Sequence, residues 1–403
     1  MTQRLYYSDP YKREFEASIE AVGERDGRPA VRLDQTAFYP TSGGQPFDTG
    51  TLTVAGGAAI ETVDVVDADD GGVLHIVSAL PSYVSVGQTV HGEIAWPRRF
   101  DHMQQHTGQH LLSAAFERLF AARTVSFHLG SDACTIDLSR EMSAKEIGAA
   151  EAEANRIVWE DRPVSIRFVT SEEAARLPLR KEPAREGLLR LIDIEDFDLS
   201  ACGGTHVSRT GAVGFIAATG WERFKGGQRM EFVCGGRALA RFQGLRDHLA
   251  AVTRRLSVLP ADVAPAVERL QNEVKDVKRA SLAMKVDLAR FRAQEMQAGA
   301  ERVRSGLAVC QVVEGDMAWL KMLASEITSQ PGRIAVLVST EKPAGVVVAV
   351  SPDTGIAANK VLADLLTRFG GRGGGKADLA QGGGLTAAPE SVVADARRVI
   401  SAA

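Results

Sequence analysis

Arg98 to Phe116 reads RRFDHMQQHTGQHLLSAAF, and further along Leu199 to Ser208 reads LSACGGTHVS. The first stretch has helical periodicity: Met103, Leu111, Leu112, Ala115, Phe116 and Leu119 give it one side to bury, and it is expected to start at an Asp101 cap and end near Ala121. His106 and His110, four residues apart, then fall one turn apart on a single face, where both rings can address one ion. Cys202-Gly-Gly-Thr-His206 resists helix formation. Its adjacent glycines favour a tight loop that folds a thiolate and an imidazole back toward one point. Three imidazoles and a thiolate suit tetrahedral zinc and lack the oxygen ligands that calcium or magnesium require. His102, one turn before His106, leaves a second triad open: His102, His106 and His110.

Either half alone is more often structural than ligating. Both halves in a chain with eight histidines and four cysteines make metal binding the better reading. A peptidase is disfavoured, because the H-E-x-x-H and H-x-x-E-H patterns need a glutamate where this chain has Thr107 or Gln109.

Composition bounds the rest. With 403 residues, 45% of them hydrophobic, the chain can bury substantial cores, in about two to four domains. A net charge of −4 excludes a generic polycation, so RNA contacts must come from local basic patches. The opening MTQRLYYSDPYKREFEAS has no apolar run resembling a signal peptide, and no stretch has the length of a membrane span. Cysteines at 134, 202, 234 and 310 form no disulfide framework, which together with the rest predicts a cytoplasmic protein.

Upstream of the first stretch, AVRL, TLTV, AIETVDVV, VLHIVSAL and TVHGEIAW are short β-like runs between Ala30 and Trp96, bounded by turn residues, as in a small barrel or sandwich. Within them, LDQTAFYPTSGGQPFDTG offers Thr36, Tyr39 and Gln45 on a glycine-freed loop, either against a ligand or simply solvated. Downstream, TVSFHLG and ACTIDL read as a strand pair, Lys145 to Glu160 as a helix and VSIRFV as a strand, giving an α+β layer. Arg176, Arg180, Lys181, Arg185 and Arg190 then lead into the second metal half-site. Arg209, Arg223, Lys225 and Arg229 follow on strands around a glycine-rich turn, where they either hold phosphates or form a solvated face.

From Leu245 the pattern is helical, with Pro260 and Pro265 marking a turn between two helices. Val267, Leu270, Val274, Val277, Ser281, Met284, Leu288 and Phe291 alternate steps of three and four, an a/d seam that packs within the chain or makes a homodimer. In the last part GRIAVLVST and GVVVAVS read as buried strands, a helix runs from Ile356 to Phe369, and GGRGGGKADLAQGGG begins at Gly370. Gly370 and Gly375-Lys376 have P-loop spacing. Ala377 replaces the magnesium-binding Ser or Thr, however, and the run follows a helix where a strand is needed, so NTP hydrolysis is not expected. Its backbone N–H groups, beside Arg368, Arg372 and Lys376, suit an RNA phosphate.

RRFDHMQQHTGQHLLSAAF, SACGGTHVSRTGAVGF and LDQTAFYPTSGGQP closely resemble the AlaX-type alanyl-tRNA editing proteins, relatives of the editing domain of alanyl-tRNA synthetase. GGRGGGKADLAQGGG resembles the synthetase's carboxy-terminal DHHA1 domain, which marks the long AlaX form. No region is expected to match the class II aminoacylation module. The resemblance implies one zinc ion per chain on His106, His110, Cys202 and His206, with His102 a mere neighbour. It further implies that Thr36 reads the amino-acid side chain, that Gln45 belongs to the same pocket and that His128 borders it. Arg223, Lys225, Arg229, Arg372 and Lys376 are the basic residues expected to touch tRNA.

The implied fold is multidomain α+β: a β-barrel at 1–90, a zinc-binding editing domain at 91–240, a helical hairpin linker or stalk at 241–303, and an α/β DHHA1-like domain at 304–403 for tRNA binding or dimerisation. The implied reaction is ATP-independent hydrolytic deacylation of mischarged tRNA(Ala), chiefly of Ser-tRNA(Ala), with Gly-tRNA(Ala) as a secondary substrate. Serine is a near-isostere of alanine that a synthetase pocket rejects poorly, so a second site must supply the discrimination. Sequence leaves open whether zinc activates water or only positions substrate, and it offers no obvious carboxylate base. The alternatives are an RNA-binding protein with a structural zinc, and a zinc hydrolase acting on another ester or amide.

Overall fold

The structure, a computed structural model, describes residues 1–180 and 187–402. The chain divides into two compact units, residues 1–252 and 253–403.

The first unit opens with a closed six-stranded barrel made of Glu14–Arg25, Arg28–Leu33, Gly50–Val54, Ala59–Asp67, Val73–Val77 and Thr89–Ile94. Five of these strands coincide with the short runs read from sequence. The sixth, Glu14–Arg25, was not anticipated, although Phe15, Ala17 and Ile19 alternate into the core while their neighbours face outward. It joins Arg28–Leu33 through Asp26-Gly27, both at positive φ (51° and 72°), the conformation of a tight two-residue hairpin.

Helix α1 (Trp96–Phe120) follows the barrel at once. Pro97 occupies its first turn and Asp101 lies inside it, so the expected Asp101 cap is corrected: Pro97 presets the entry angle and needs no N–H there. Asp101 instead pairs with Arg237 at 2.6 Å. Arg99 is fully buried and locks α1 to the barrel. Its Nε donates to Asp48 at 3.0 and 3.2 Å, while its terminal nitrogens reach the carbonyls of Pro10 and Ala37 at 2.8 and 2.5 Å. Asp48 also accepts from the Tyr39 amide at 2.7 Å, so the Thr36 to Asp48 segment is held against α1.

Beyond α1, an antiparallel sheet runs in the order Ile216–Phe224, Gly227–Cys234, Cys134–Leu138, Thr124–Leu129. Helix α2 (Ala144–Trp159) starts at a reciprocal Ser143/Glu146 capping box. Leu111, Leu112 and Phe116 of α1 share one core with Ile147 of α2 and with Ile136, Met230 and Phe232 of the sheet. A second, three-stranded sheet is Val164–Thr170, Leu188–Ile194 and Asp198–Ala201, with the short helix α3 (Ser171–Ala174) beside it. Helix α4 (Gly235–Leu256) follows.

The second unit begins with the long helix α5 (Val263–Ala298), so Pro265 sits in its first turn and only Pro260 lies before it. A six-stranded sheet has the order Glu301–Val303, Gly306–Val313, Arg333–Ser339, Ala344–Val350, Leu379–Leu385, Arg372–Gly375. The two apolar runs read as buried strands occupy its centre. Helix α6 (Met317–Thr328) and the end of α5 share a core with one side of the sheet. Helices α7 (Ala358–Phe369) and α8 (Pro389–Ala402) share another with the opposite side. The glycine-rich run is thus an edge hairpin, Arg372–Gly375 on Leu379–Leu385, entered from a helix.

Candidate metal centre

Helix α1 supplies His106 and His110, and the turn leaving strand Asp198–Ala201 supplies Cys202 and His206. Their ligand-capable atoms all lie within 4.8 Å of one another. The Nε2 atoms of His106 and His206 are 3.4 and 3.3 Å from the Cys202 sulfur. These are about the ligand-to-ligand spacings of a tetrahedron with bonds near 2.0–2.3 Å. His102 is not in the group. It is buried on α1, and that burial, together with nearby Arg98, pushes its pKa down to about 4.

The other ring nitrogens fix the ligand atoms. His106 Nδ1 lies 2.8 Å from the Gln45 side-chain oxygen and His110 Nδ1 lies 2.9 Å from the Asp198 carboxylate. Both partners can only accept, so both rings carry hydrogen on Nδ1 and present a bare Nε2. His206 Nδ1 meets the Thr107 hydroxyl at 3.1 Å. Such outer contacts orient metal-binding histidines and raise their basicity.

The turn itself is clamped from behind. Arg190, buried, donates to the carbonyls of Cys202 and Gly204 at 2.7 and 2.9 Å and to that of Tyr7 at 2.9 Å. Gly204 passes so close to the His106 ring that a Cβ there would overlap it. Gln45 completes the clamp, donating to the Thr205 hydroxyl at 2.9 Å and accepting from its amide at 3.0 Å.

Without an ion the cluster's charges balance one another, with a thiolate at Cys202 against an imidazolium at His110 whose proton a bound metal would displace. Burial opposes a thiolate at Cys202, but His106 and His206 outweigh it and hold the thiol well below its ordinary range. Burial likewise opposes charge on His110, yet the Asp198 and Cys202 hydrogen bonds carry it up to about 9. His206 is pushed down to about 3 by burial and then by neighbouring His106. Asp198, though buried, is held well below the usual carboxylate range by His110 and Arg180, the latter 2.5 Å away.

A cavity of about 220 Å³ opens on His106, His110 and Cys202. Gly43, Gln109, Thr124, Ser126, Phe127, Arg180 and Ser200 help to line it. Phe127 lies 5.2 Å from the His106 ring, centroid to centroid. Ser113 accepts from both Gln109, at 2.8 Å, and Thr124, at 2.7 Å, so these three polar side chains form one row. Among the described residues that line it there is no carboxylate.

Several expected site residues lie elsewhere. Thr36 is fully buried in the barrel, 2.8 Å from His75 Nε2, and is not among the residues that line the cavity. Gln45, fully buried, makes three hydrogen bonds to His106 and Thr205, which makes it a support for the His/Cys cluster. His128 is exposed on the opposite side of its strand from its neighbour Phe127, the residue that faces His106.

On the hairpin, Arg223 pairs with Glu141 and Arg229 with Asp137, while Lys225 sits over the Phe224 ring at the turn. Arg372 lines a separate cavity of about 640 Å³ with Lys321 and Gly373, and Lys376 is exposed at the tip of that hairpin. Lys181 and Arg185 lie outside the described residues. Sequence reading passed over Asp198, Thr107 and Arg190 as site residues. The alternation of LIDIEDFDLS was the only local hint that Asp198 points inward.

Comparison with known proteins agrees with this geometry. The family model "Threonyl and Alanyl tRNA synthetase second additional domain" matches residues 189–231, which include the Cys202 turn. The model "DHHA1 domain" matches residues 305–402. Contrary to expectation, residues 8–98 match the model "tRNA synthetases class II (A)"; these are the residues of the barrel. The alanyl-tRNA editing protein AlaX-L of Pyrococcus horikoshii is 31% identical over 401 residues, covering 97% of this chain and 96% of that protein. The alanine–tRNA ligase of Pyrococcus abyssi is 36% identical over 395 residues, and that of Halobacterium salinarum 37% over 401. This chain spans only 42% of the length of each of those two ligases.

Proposed function

Because the chain belongs to the family of the alanyl-tRNA editing protein AlaX-L, we propose that it is a trans-acting hydrolase that removes serine, and glycine, from mischarged tRNA(Ala), with one zinc ion on His106, His110, Cys202 and His206. The carrying observation is the convergence of three histidines and a thiolate on one pocket, with two of the rings forced to present Nε2. In this reading residues 91–240 perform the hydrolysis, and residues 304–403 hold tRNA through Arg372 and Lys376.

Zinc in such a site supplies Lewis acidity toward an ester carbonyl or a water molecule. The chain's own groups do the rest. Gln109 and Thr124, which line the cavity and are both bonded to the buried Ser113, are the polar groups that meet the hydroxyl of a seryl group. Phe127 excludes water from one wall of the cavity. Arg180, tethered to Asp198, keeps positive charge at the wall for the terminal phosphodiester. Water adds to the ester carbon, the bond to the ribose oxygen breaks, and the ribose leaves as its hydroxyl. In this reading the vicinal ribose hydroxyl relays the proton.

Four protein ligands fill a tetrahedral shell, and this one observation favours a second reading in which the zinc is structural and the chain only binds RNA. One assay separates the two. The purified chain should deacylate Ser-tRNA(Ala), leave Ala-tRNA(Ala) largely intact and spare small esters. A chain that binds mischarged tRNA(Ala) without turning it over belongs to the second reading.

A further inference from the structure

Of the two adjacent glycines in the Cys202 turn, crowding explains Gly204 but not Gly203. A Cβ on Gly203 would meet nothing nearer than Tyr7, with the hydroxyl oxygen at 3.8 Å and Cε1 at 4.0 Å. Its backbone is also outside the left-handed region. Neither space nor conformation therefore calls for glycine at 203; what the missing side chain offers is close approach of a ligand to the backbone. Gly203 is exposed and lines the cavity next to Cys202. Gly43, exposed on the same cavity, has nothing within 4 Å of where its Cβ would be, so of the two it is Gly203 that sets bare backbone beside a polar group.

Tyr7, half-buried, is held through its ring and its backbone. Tyr6 meets the ring edge-on at 5.0 Å between centroids, and the guanidinium carbons of Arg4 and Arg190 lie 5.8 and 5.7 Å from its centre. Arg190 also binds the carbonyls of Tyr7, Cys202 and Gly204, so one guanidinium fixes the phenol and the turn against each other. None of these contacts uses the Tyr7 hydroxyl, which has no hydrogen-bond partner among the described residues.

Resting on the deacylase reading, we propose that the Tyr7 hydroxyl binds the sugar of the substrate's terminal nucleotide, through the ribose hydroxyl vicinal to the ester. The cavity's volume of about 220 Å³ is small beside the roughly 300–1,000 Å³ of sites that enclose a drug-sized ligand. It takes the amino-acid end and leaves the ribose, one ester linkage away, at the rim. Gly203 is where that rim carries no side chain, and Tyr7 is the polar group the ribose meets there. A phenol both donates and accepts, so it can hold the vicinal hydroxyl in the orientation that a proton relay needs. Because every aminoacyl ester brings the same ribose, Tyr7 serves binding and leaves the choice of amino acid to the cavity.

The probes are 3′-serylamino-3′-deoxyadenosine, whose amide resists hydrolysis, and its counterpart lacking the 2′-hydroxyl, each titrated by calorimetry into the full zinc-loaded chain. Loss of the 2′-hydroxyl should weaken binding to the unsubstituted chain about three- to tenfold. Tyr7→Phe should bind the ribose analogue more weakly by the same factor and no longer notice the 2′-hydroxyl. That variant keeps the ring, so its melting temperature and zinc content should match the unsubstituted chain, whereas a structural role for the hydroxyl would move them. Gly203→Ala, which sets a methyl group against the phenol without a clash, should weaken the ribose analogue at unchanged zinc content. An unsubstituted chain that binds both analogues alike overturns the proposal, as does a preference for the 2′-hydroxyl that persists in Tyr7→Phe. Neither result touches the deacylase reading, which stands or falls on turnover of Ser-tRNA(Ala) by the unsubstituted chain.

Discussion

His110 Nδ1 sits 2.9 Å from Oδ2 of Asp198, and the same carboxylate is gripped from its other side by Arg180 and Ser200. The ring therefore cannot turn to offer Nδ1 to an ion. Asp198→Asn keeps the shape but offers an amide in place of a carboxylate, and should lower zinc affinity by about 10- to 100-fold. Competition with a chromophoric chelator measures this, and unchanged affinity would show that Asp198 does not tune the site.

Gln45 supports the centre through three hydrogen bonds. Gln45→Leu strands the Thr205 amide and His106 Nδ1 in a buried place, at a cost of roughly 2–4 kcal/mol. The expected outcome is a lower melting temperature together with weaker metal binding. Loss of serine discrimination with metal affinity intact would instead restore Gln45 to the substrate.

Gly204→Ala should abolish stoichiometric zinc binding in a chain that otherwise folds, because its Cβ would occupy the place of the His106 ring. Metal content after dialysis, set beside the circular dichroism spectrum, checks it. A zinc-replete variant would mean that the turn can retreat.

Two threonines separate reading from packing. Thr124→Val, which removes a hydroxyl that lines the cavity, should cut the ratio of Ser-tRNA(Ala) to Gly-tRNA(Ala) deacylation by about tenfold or more. Thr36→Val should leave that ratio unchanged and cost about 1–3 kcal/mol, since it breaks the buried bond to His75. Rates on the two charged tRNAs and one denaturation curve distinguish the outcomes.

His75 makes the barrel acid-sensitive. Burial drives its pKa from 6.5 down to about 4, only partly offset by its bond to the Val31 carbonyl. The folded ring stays neutral where the unfolded one takes a proton, so its contribution is intact above pH 6.5 and is lost as pH falls toward 4, roughly 3 kcal/mol in all. Stability measured between pH 7 and pH 4.5 should fall less steeply in a His75→Gln variant, and parallel slopes would refute the assignment.

What could be read from sequence was what depends on local spacing. His106 and His110 face one point because of helical pitch, Cys202 and His206 return to it because of paired glycines, and five barrel strands form because turn residues bracket them. What could not be read was the outer layer. Gln45 reaches His106 across 61 residues of chain and Asp198 reaches His110 across 88, so no local pattern joins them. Thr36 and His128 were misplaced for a plainer reason: one sits inside a barrel and the other on the outward side of a strand, and polarity alone does not tell an orphan group from a satisfied one.

The buried guanidinium of Arg99 sets the smallest piece of this protein that can work. It delivers Asp48, and with it the loop bearing Gln45, to the helix that holds two of the four members of the His/Cys cluster. A fragment beginning at α1 would keep all four His and Cys residues of the cluster but lose Gln45 from His106 and Asp48 from Arg99. The ligands are one module on paper, but in the folded chain they are inseparable from the barrel that precedes them.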